Sequence, residues 1–296
     1  MKVLVIIVSY NFERWITPCL NSLRSSDQPV SVLVIDNDST DHTVERIRTE
    51  YPEVQLIENK ENLGFGAANN LGFQKAIQED YDFVFLLNQD AWIDSQVIGT
   101  LSELSLKHPQ YGVWSPVHIN GKGEELDRGF ATYAKVASLK EIPSDSEFVE
   151  CNFINAAFWL IPTDVLQTVG KFSPLFYHYG EDKDYINRVL FHGYQTAYVP
   201  RVFGFHDREN RAVDRNGFFR SEEVYLLSEY ANINYSFHKA FRYSILAGIQ
   251  KALKALGHKK FKDCASYISI CYRLIKKTRY IHKTRRKNIL STVNYI

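Results

Sequence analysis

The sequence contains no apolar run near the roughly 20 residues needed to cross a bilayer, so no membrane-spanning helix is expected. The apolar stretch at the N-terminus, Val3 to Val8, is shorter than the roughly 7 to 15 residues of a secretory signal core and reads as a buried first strand. Cysteine is scarce. Cys19, Cys151, Cys264 and Cys271 make no CxxC pair, which argues against a disulfide framework and for a reducing compartment, so the cytoplasm is the expected location. Internal repeats and low-complexity tracts are missing too. What remains is ordinary globular composition, 45% hydrophobic and 23% charged over 296 residues, which suits one large core with an appendage.

A net charge of +1 leaves little excess of either sign, but the charge is unevenly spread. Residues 239–288 hold fifteen Lys or Arg against one acid, Asp263, a surplus of fourteen that leaves the rest of the chain at −13. Such a split predicts a globular body followed by a basic tail with a different partner. Basic amphipathic helices are drawn to anionic membrane surfaces, by about 1 kcal/mol per basic residue near the surface. A solvated extension or a contact between copies stands beside that reading, and a nucleic-acid partner ranks below both.

Continuous β-branched runs recur at Val3 to Val8, Val32 to Ile35, Val54 to Ile57 and Phe83 to Leu87, as strands buried on both faces require. Helical patterns at Trp15 to Leu23, Thr43 to Tyr51 and Ala67 to Ile77 fill the gaps. This alternation predicts an α/β architecture with a mostly parallel central sheet flanked by helices. A further apolar run, Ala156 to Ile161, follows an irregular stretch with Gly121, Gly123 and Gly129, and past residue 220 the pattern reads as two or three helices. The expected division is residues 1–111 and 112–221 as two halves of one domain, then a basic helical extension over 222–296.

Each strand ends in polar residues: Ser9, Tyr10 and Asn11; Asp36, Asn37 and Asp38; Asn59 to Asn62; Asn88, Gln89 and Asp90. Turn chemistry alone explains any one cluster. Four at the same end of one sheet predict a shared crevice, where such sheets take ligands. In NLGFGAANN, residues 62–70, small residues open a helix whose free N–H groups favour an anion, although Gly64 and Gly66 serve equally as turn glycines. Ser39 or Thr40 can cap the helix after VIDNDSTD, and Glu181, Asp182 and Asp184 enrich the first turn of another helix, where acids complement the helix end.

VSYN at residues 8–11, VIDNDSTD at 34–41, NLGFGAANN at 62–70 and LLNQDAW at 86–92 together resemble the inverting glycosyltransferases of family 2, in particular rhamnosyltransferase-like members. The resemblance continues through NAAFWLIPTDVLQTVGKFSPLFYHYGEDKDY at 155–185 to His206, so it covers roughly residues 1–210. It implies the GT-A fold of nucleotide-diphospho-sugar transferases. It also implies a nucleotide-diphosphate sugar donor, UDP- or dTDP-linked, with dTDP-rhamnose among the candidates, and a saccharide or lipid-linked acceptor in cell-surface polysaccharide synthesis. With a lipid-linked acceptor the protein would work peripherally on the inner membrane face.

By the same resemblance, Asp36, Asn37 and Asp38 hold the base and ribose while Tyr10 stacks on the base. Ser9, Asn11, Gly64, Asn69, Asn88 and Gln89 belong to the same nucleotide site. Asp90 falls at the last position of the family's Asp-x-Asp motif, Asn88 replacing the first acid, and His206 resembles the family's later metal histidine. A carboxylate, an imidazole and diphosphate oxygens suit Mn²⁺ or Mg²⁺ better than zinc, and a hard cation there would stabilise the departing diphosphate. Asp182 is implied as the general base, with Glu181 beside it and His178 as the alternative base. Trp114, Tyr133, Trp159, Phe176 and Tyr177 are expected mainly in the core.

The departures from the family pattern are Asn88, Gln89, Ser173 with Pro174, and Gly204. They leave open a rival reading, a degenerate relative that binds nucleotide-sugar or a partner without turnover. A sugar nucleotidyltransferase is a poorer rival, because residues 9–13 read SYNFE where that class needs a basic Gly-rich loop.

Overall fold

In the computed structural model, which describes residues 1–208 and 214–290, the N-terminal third alternates strands and helices. These are β1 (Val3–Ser9), α1 (Ile16–Arg24), β2 (Val30–Asp36), α2 (Thr43–Glu50), β3 (Gln55–Glu58), α3 (Phe65–Gln78) and β4 (Phe83–Leu87). Next come β5 (Ala91–Ile93), α4 (Val97–Lys107), β6 (Tyr111–Asn120), α5 (Arg128–Ala134), β7 (Val149–Glu150), β8 (Phe158–Pro162), α6 (Thr163–Val169), α7 (Glu181–Phe191) and β9 (Gln195–His206). The chain continues as helices α8 (Arg215–Ala231), α9 (Phe237–Phe241), α10 (Ala247–Gly257), α11 (Phe261–Lys276) and α12 (Thr278–Leu290).

All nine strands join one sheet in the order β3-β2-β1-β4-β8-β6-β9-β5, with β7 paired to β9. β3, β2, β1 and β4 pair in parallel, β6 and β9 pair in parallel, and the antiparallel β8 stands between the two groups. Six strands therefore share one direction, while β5, β7 and β8 run against them.

The unbroken apolar run of β1 follows from burial on both faces. Val3, Val5 and Ile7 enter one layer with Ile16 and Leu20 of α1, Ile47 of α2 and Leu101 of α4. Leu4 and Ile6 enter the other with Phe73 of α3, Val165 of α6 and Tyr185 of α7. α3 lies so close to β1 that a Cβ at Gly72 would come within 2.6 Å of the Ile6 side chain.

Beyond β9 the chain forms five α-helices among the described residues, where the sequence pattern suggests two or three. The first begins before residue 220, because Asp214 caps it by accepting a hydrogen bond from the Gly217 N–H at 2.7 Å. Leu226, Tyr230, Ile245, Ile270, Leu274 and Ile281 build a separate core there, which also takes in Phe176 from the segment before α7.

α7 is pinned by a buried ion pair. Arg188 donates to Asp184 Oδ2 at 2.9 Å, to the Val169 carbonyl at 2.8 Å and to the Lys171 carbonyl at 2.9 Å, and both charged side chains are almost wholly buried. Removing one partner leaves the other charge uncompensated. Arg188→Met is expected to cost about 3 to 5 kcal/mol in urea unfolding, and a loss under about 1 kcal/mol would show that the pair contributes little.

Candidate active site

The carboxyl ends of β1, β2 and β4 open into a cleft of about 1110 Å³. Ser9, Tyr10 and Asn11 line it from β1, Asn37 from β2, Asn62 and Gly64 from the approach to α3, and Asn88, Gln89 and Asp90 from β4. The four polar strand ends thus converge on one space. Facing them are residues 175–179 and the helices after β9.

Side chains lace these ends together. Gln89 accepts from the Tyr10 N–H at 2.7 Å and donates to the Tyr10 carbonyl at 3.2 Å, so it holds β4 to β1 while leaving the Tyr10 ring exposed. Asn37 Oδ1 accepts from Asn59 Nδ2 at 2.9 Å, and Asn11 Oδ1 accepts from the Thr40 N–H at 2.9 Å. Asp36 lies beneath this surface, its carboxylate taken up by the Ser9 hydroxyl at 2.8 Å and the Ser39 N–H at 2.9 Å. Asp38 is exposed with φ at 68°. Asn69 is buried inside α3, donating to the Phe65 carbonyl at 2.9 Å.

Gly64 is the position where only glycine fits. Its φ is +81°, and a Cβ would stand 2.2 Å from the Tyr177 carbonyl oxygen. Tyr177 in turn donates its hydroxyl to the Asn62 carbonyl at 2.9 Å, so the segment before α7 lies directly on the α3 loop.

Asp90 and His206 meet, although they lie far apart along the chain. β5 carries the chain from Asp90 along the end of β9, pairing Ala91 with His206. The result places Asp90 Oδ1 3.2 Å from His206 Nε2, with Asn88 Nδ2 3.5 Å from the same nitrogen. Adjacent ligands of one octahedral cation at about 2.1 Å lie roughly 3 Å apart, so this pair has the spacing of two ligands of a single ion. The far ring nitrogen, Nδ1, lies 3.8 Å from the buried Asp127 carboxylate and accepts from Arg208 Nε at 3.3 Å. A cation on Nε2 requires the ring proton on Nδ1, so Nδ1 would have to give up the Arg208 contact and donate toward Asp127, the usual carboxylate support for a metal-binding imidazole. Among the described residues no three His, Cys, Asp or Glu are arranged to hold a metal ion by themselves, so the remaining ligands would be diphosphate oxygens and water.

Glu181 and Asp182 open α7 behind Gly180, whose φ of +90° turns the chain into the helix. Asp182 is partly buried and accepts from the Lys183 N–H at 2.7 Å. The sequence suggests that a helix start keeps this carboxylate readily ionised. Instead burial pushes its pKa up, and the N–H groups of α7 and the charges of Arg208 and Lys183 offset only part of that push. Neither Asp182 nor Glu181 lines the cleft as it stands. His178 does, and burial together with the nearby Arg220 charge lowers its pKa.

Glu181 is buried, and its Oε2 has no hydrogen-bond partner among the described residues. Burial above all, with the Asp182 charge, raises its carboxyl to about 7. The folded protein therefore holds this proton more tightly than the unfolded chain does. The associated stability is complete below the unfolded value near 4.5 and is lost as pH rises through about 7. Between about pH 5 and pH 8 the wild type should lose up to about 3 kcal/mol more than Glu181→Gln in urea titrations. Parallel pH slopes for the two proteins would contradict this.

Sequence reasoning missed the residues that surround the histidine. Asp127 caps α5 through the Phe130 N–H at 3.0 Å and also lies 3.3 Å from Arg208 Nε. The charges of Asp127, Arg208 and Asp182 all act on the buried Tyr133 hydroxyl, which donates to Asn155. Arg208 lies two positions past His206, the last residue of β9, and no local pattern in the sequence marks it.

Residues 4–170 match the glycosyl transferase family 2 profile. The N-acetylglucosaminyl-diphospho-decaprenol L-rhamnosyltransferase of Mycobacterium tuberculosis is 25% identical over 236 residues, 69% of this chain and 75% of that protein. The low-salt glycan biosynthesis hexosyltransferase Agl10 of Haloferax volcanii is 22% identical over 75% of this chain and 71% of its own. Among solved structures, S. aureus TarS 1-349 in complex with UDP superposes with a TM-score of 0.58 at 16% identity, covering 98% of this chain and 88% of that one. The mannosyltransferase PcManGT from Pyrobaculum calidifontis, in complex with GDP-Man and Mn²⁺, gives 0.57 at 18% identity over 94% and 87%. These likenesses establish the GT-A fold. With more than half its length matched by the family's sequence pattern, the chain belongs to glycosyl transferase family 2 and is a glycosyltransferase.

Proposed function

We propose that the enzyme moves a sugar, with inversion, from a nucleotide diphosphate held by the strand ends to a saccharide or lipid-linked saccharide acceptor. The observation that carries this reading is the meeting of Asp90 and His206 at the end of the cleft-forming strands. That pair would hold Mn²⁺ or Mg²⁺, which when bound supplies positive charge to the diphosphate oxygens. Tyr10, Asn11 and Asn37 offer an exposed ring and amide groups for the base and ribose. Asp182 would take the proton of the acceptor hydroxyl as that oxygen attacks the anomeric carbon, and small movements of the segment before α7 would open it to the cleft. The rhamnosyltransferase among the relatives supports testing dTDP-rhamnose beside UDP-sugars.

A thermal-shift panel of UDP, dTDP and GDP, each with and without Mn²⁺, tests this. One nucleotide should raise the melting temperature by several degrees, more with metal than without, because ligands that bind only the folded state stabilise it. If none does so under either condition, the reading fails.

The basic tail supports a peripheral membrane site for the enzyme, on the inner face. No helix among the described residues is long and apolar enough to cross a membrane. α10 and α11 nevertheless expose Leu253, Leu256, Phe261, Ile268 and Tyr272 beside Lys254, Lys259, Lys260 and Lys262. Exposed apolar residues next to cations suit an anionic bilayer surface. Replacing those four lysines with glutamine should weaken binding to phosphatidylglycerol-containing vesicles in a salt-dependent way, and undiminished binding would exclude this role.

A further inference from the structure

The cleft has a second wall that the strand ends do not supply. Arg220, Val224 and Leu227 line it from one face of α8, and Lys277 lines it from just beyond α11. Thr278, the next residue, lies 3.0 Å from the Tyr230 hydroxyl and so holds this corner against α8. The one acid on the same face, Glu223, is bound by Arg273 through two contacts of 3.0 and 2.6 Å. Among the described residues, neither Arg220 nor Lys277 has a carboxylate within ion-pair distance. Two cations with no carboxylate partner among the described residues therefore face the cavity.

The segment before α7 stands between this wall and the donor loop. Tyr177 leans on Asn62 and Gly64, whereas a Cβ at Gly180 would come within 2.7 Å of Val224 and 2.8 Å of Phe176. The cations thus sit across that segment from the α3 loop, on the side of α8. We propose that Arg220 and Lys277 form a phosphate-binding subsite for the acceptor, taking the phosphate or diphosphate group to which the acceptor sugar is attached. A planar guanidinium matches phosphate oxygens two at a time, and a lysine further along the same wall adds a mobile point charge. The lowered pKa of His178, to which the Arg220 charge contributes after burial, agrees with the guanidinium reaching into this side of the cleft. The inference rests on the glycosyltransferase reading above, because it names the substrate of that same cleft. The phosphate can come from a lipid diphosphate or from a soluble polyol-phosphate chain, which present the same chemistry.

The test uses the full chain saturated with its nucleotide and Mn²⁺, and compares wild type with the double variant Arg220→Gln, Lys277→Gln. Three probes are titrated: decyl diphosphate, a glycerol-phosphate oligomer, and decyl maltoside as the uncharged control. Both substituted residues are exposed, so the fold should survive, and an unchanged melting temperature confirms it. At least one phosphate probe should bind the wild type about 10-fold or more tightly than the variant, with nucleotide affinity and maltoside binding unchanged. A preference for decyl diphosphate assigns a lipid source, and a preference for the oligomer assigns a soluble chain. Equal phosphate-probe binding by both proteins overturns the subsite. So does an equal loss of nucleotide affinity, which would give the cations to the donor. Failure of every nucleotide to bind would instead overturn the parent reading, and the nucleotide titration reports that separately.

Discussion

Asp182→Asn should transfer sugar at least about 100-fold more slowly than the wild type while binding nucleotide and melting as the wild type does. A sugar hydroxyl is a poor nucleophile at neutral pH, and a positioned carboxylate typically contributes about 10² to 10⁴ in rate by accepting its proton. Asparagine keeps the size and the hydrogen bond from the Lys183 N–H but removes basicity. Burial raises the Asp182 pKa, and that makes it a stronger base once ionised, with Arg208 and Lys183 offsetting part of the rise. The rate should therefore climb with pH as this carboxylate loses its proton. Glu181→Gln should be milder, since Glu181 is buried against the start of α3, where a Cβ added at Gly66 would come 3.7 Å from the Glu181 Cβ. His178→Ala separates the two candidate bases: a larger loss there than at Asp182 would move the role to the histidine.

Asp90→Ala should lower transfer by at least about 1000-fold, and Mn²⁺ should no longer strengthen nucleotide binding. A cation on the diphosphate is worth several kcal/mol of charge stabilisation, and each 1.4 kcal/mol is a factor of ten. The fold should persist, because Asp90 is only partly buried and lies in the turn between β4 and β5 rather than in the core. His206→Ala is a less clean experiment, since His206 is 3% exposed and packs on Phe158. Equal rates for EDTA-treated and metal-loaded enzyme would remove the metal assignment.

The N-terminal part of the fold was legible because its signals are local. A β1 run apolar at every position can only be a strand covered twice, and the three helical patterns between the strands fell on α1, α2 and α3. The antiparallel placement of β8 between β4 and β6 has no local signature, since the same run from Phe158 could pair in either direction. In the tail, the helices are told apart by short breaks such as Asn232 to Ser236, which periodicity averages over. For the site, the strand-end clusters pointed to a shared cleft. Burial did the least legible work. Nothing in DNDS announces that Asp36 turns inward to Ser9 and Ser39, and nothing in GED announces that Glu181 loses its solvent. Asp127, Arg208, Arg220 and Lys277 reach the cleft region only through tertiary packing.

Phe176 sits in the core of the tail helices, while its neighbour Tyr177 rests on the glycine loop of the sheet. Two adjacent residues thus belong to two bodies, and the seam between body and tail runs through the middle of the active-site lip. This bears on how such enzymes can be recombined. An exchange of tails between family members at the end of β9 would separate Phe176 and Gly180 from the Val224 surface that shaped them. Leu175, Phe176 and Gly180 pack with the tail helices, so a chimaera that keeps this packing should carry them together with residues 215–290.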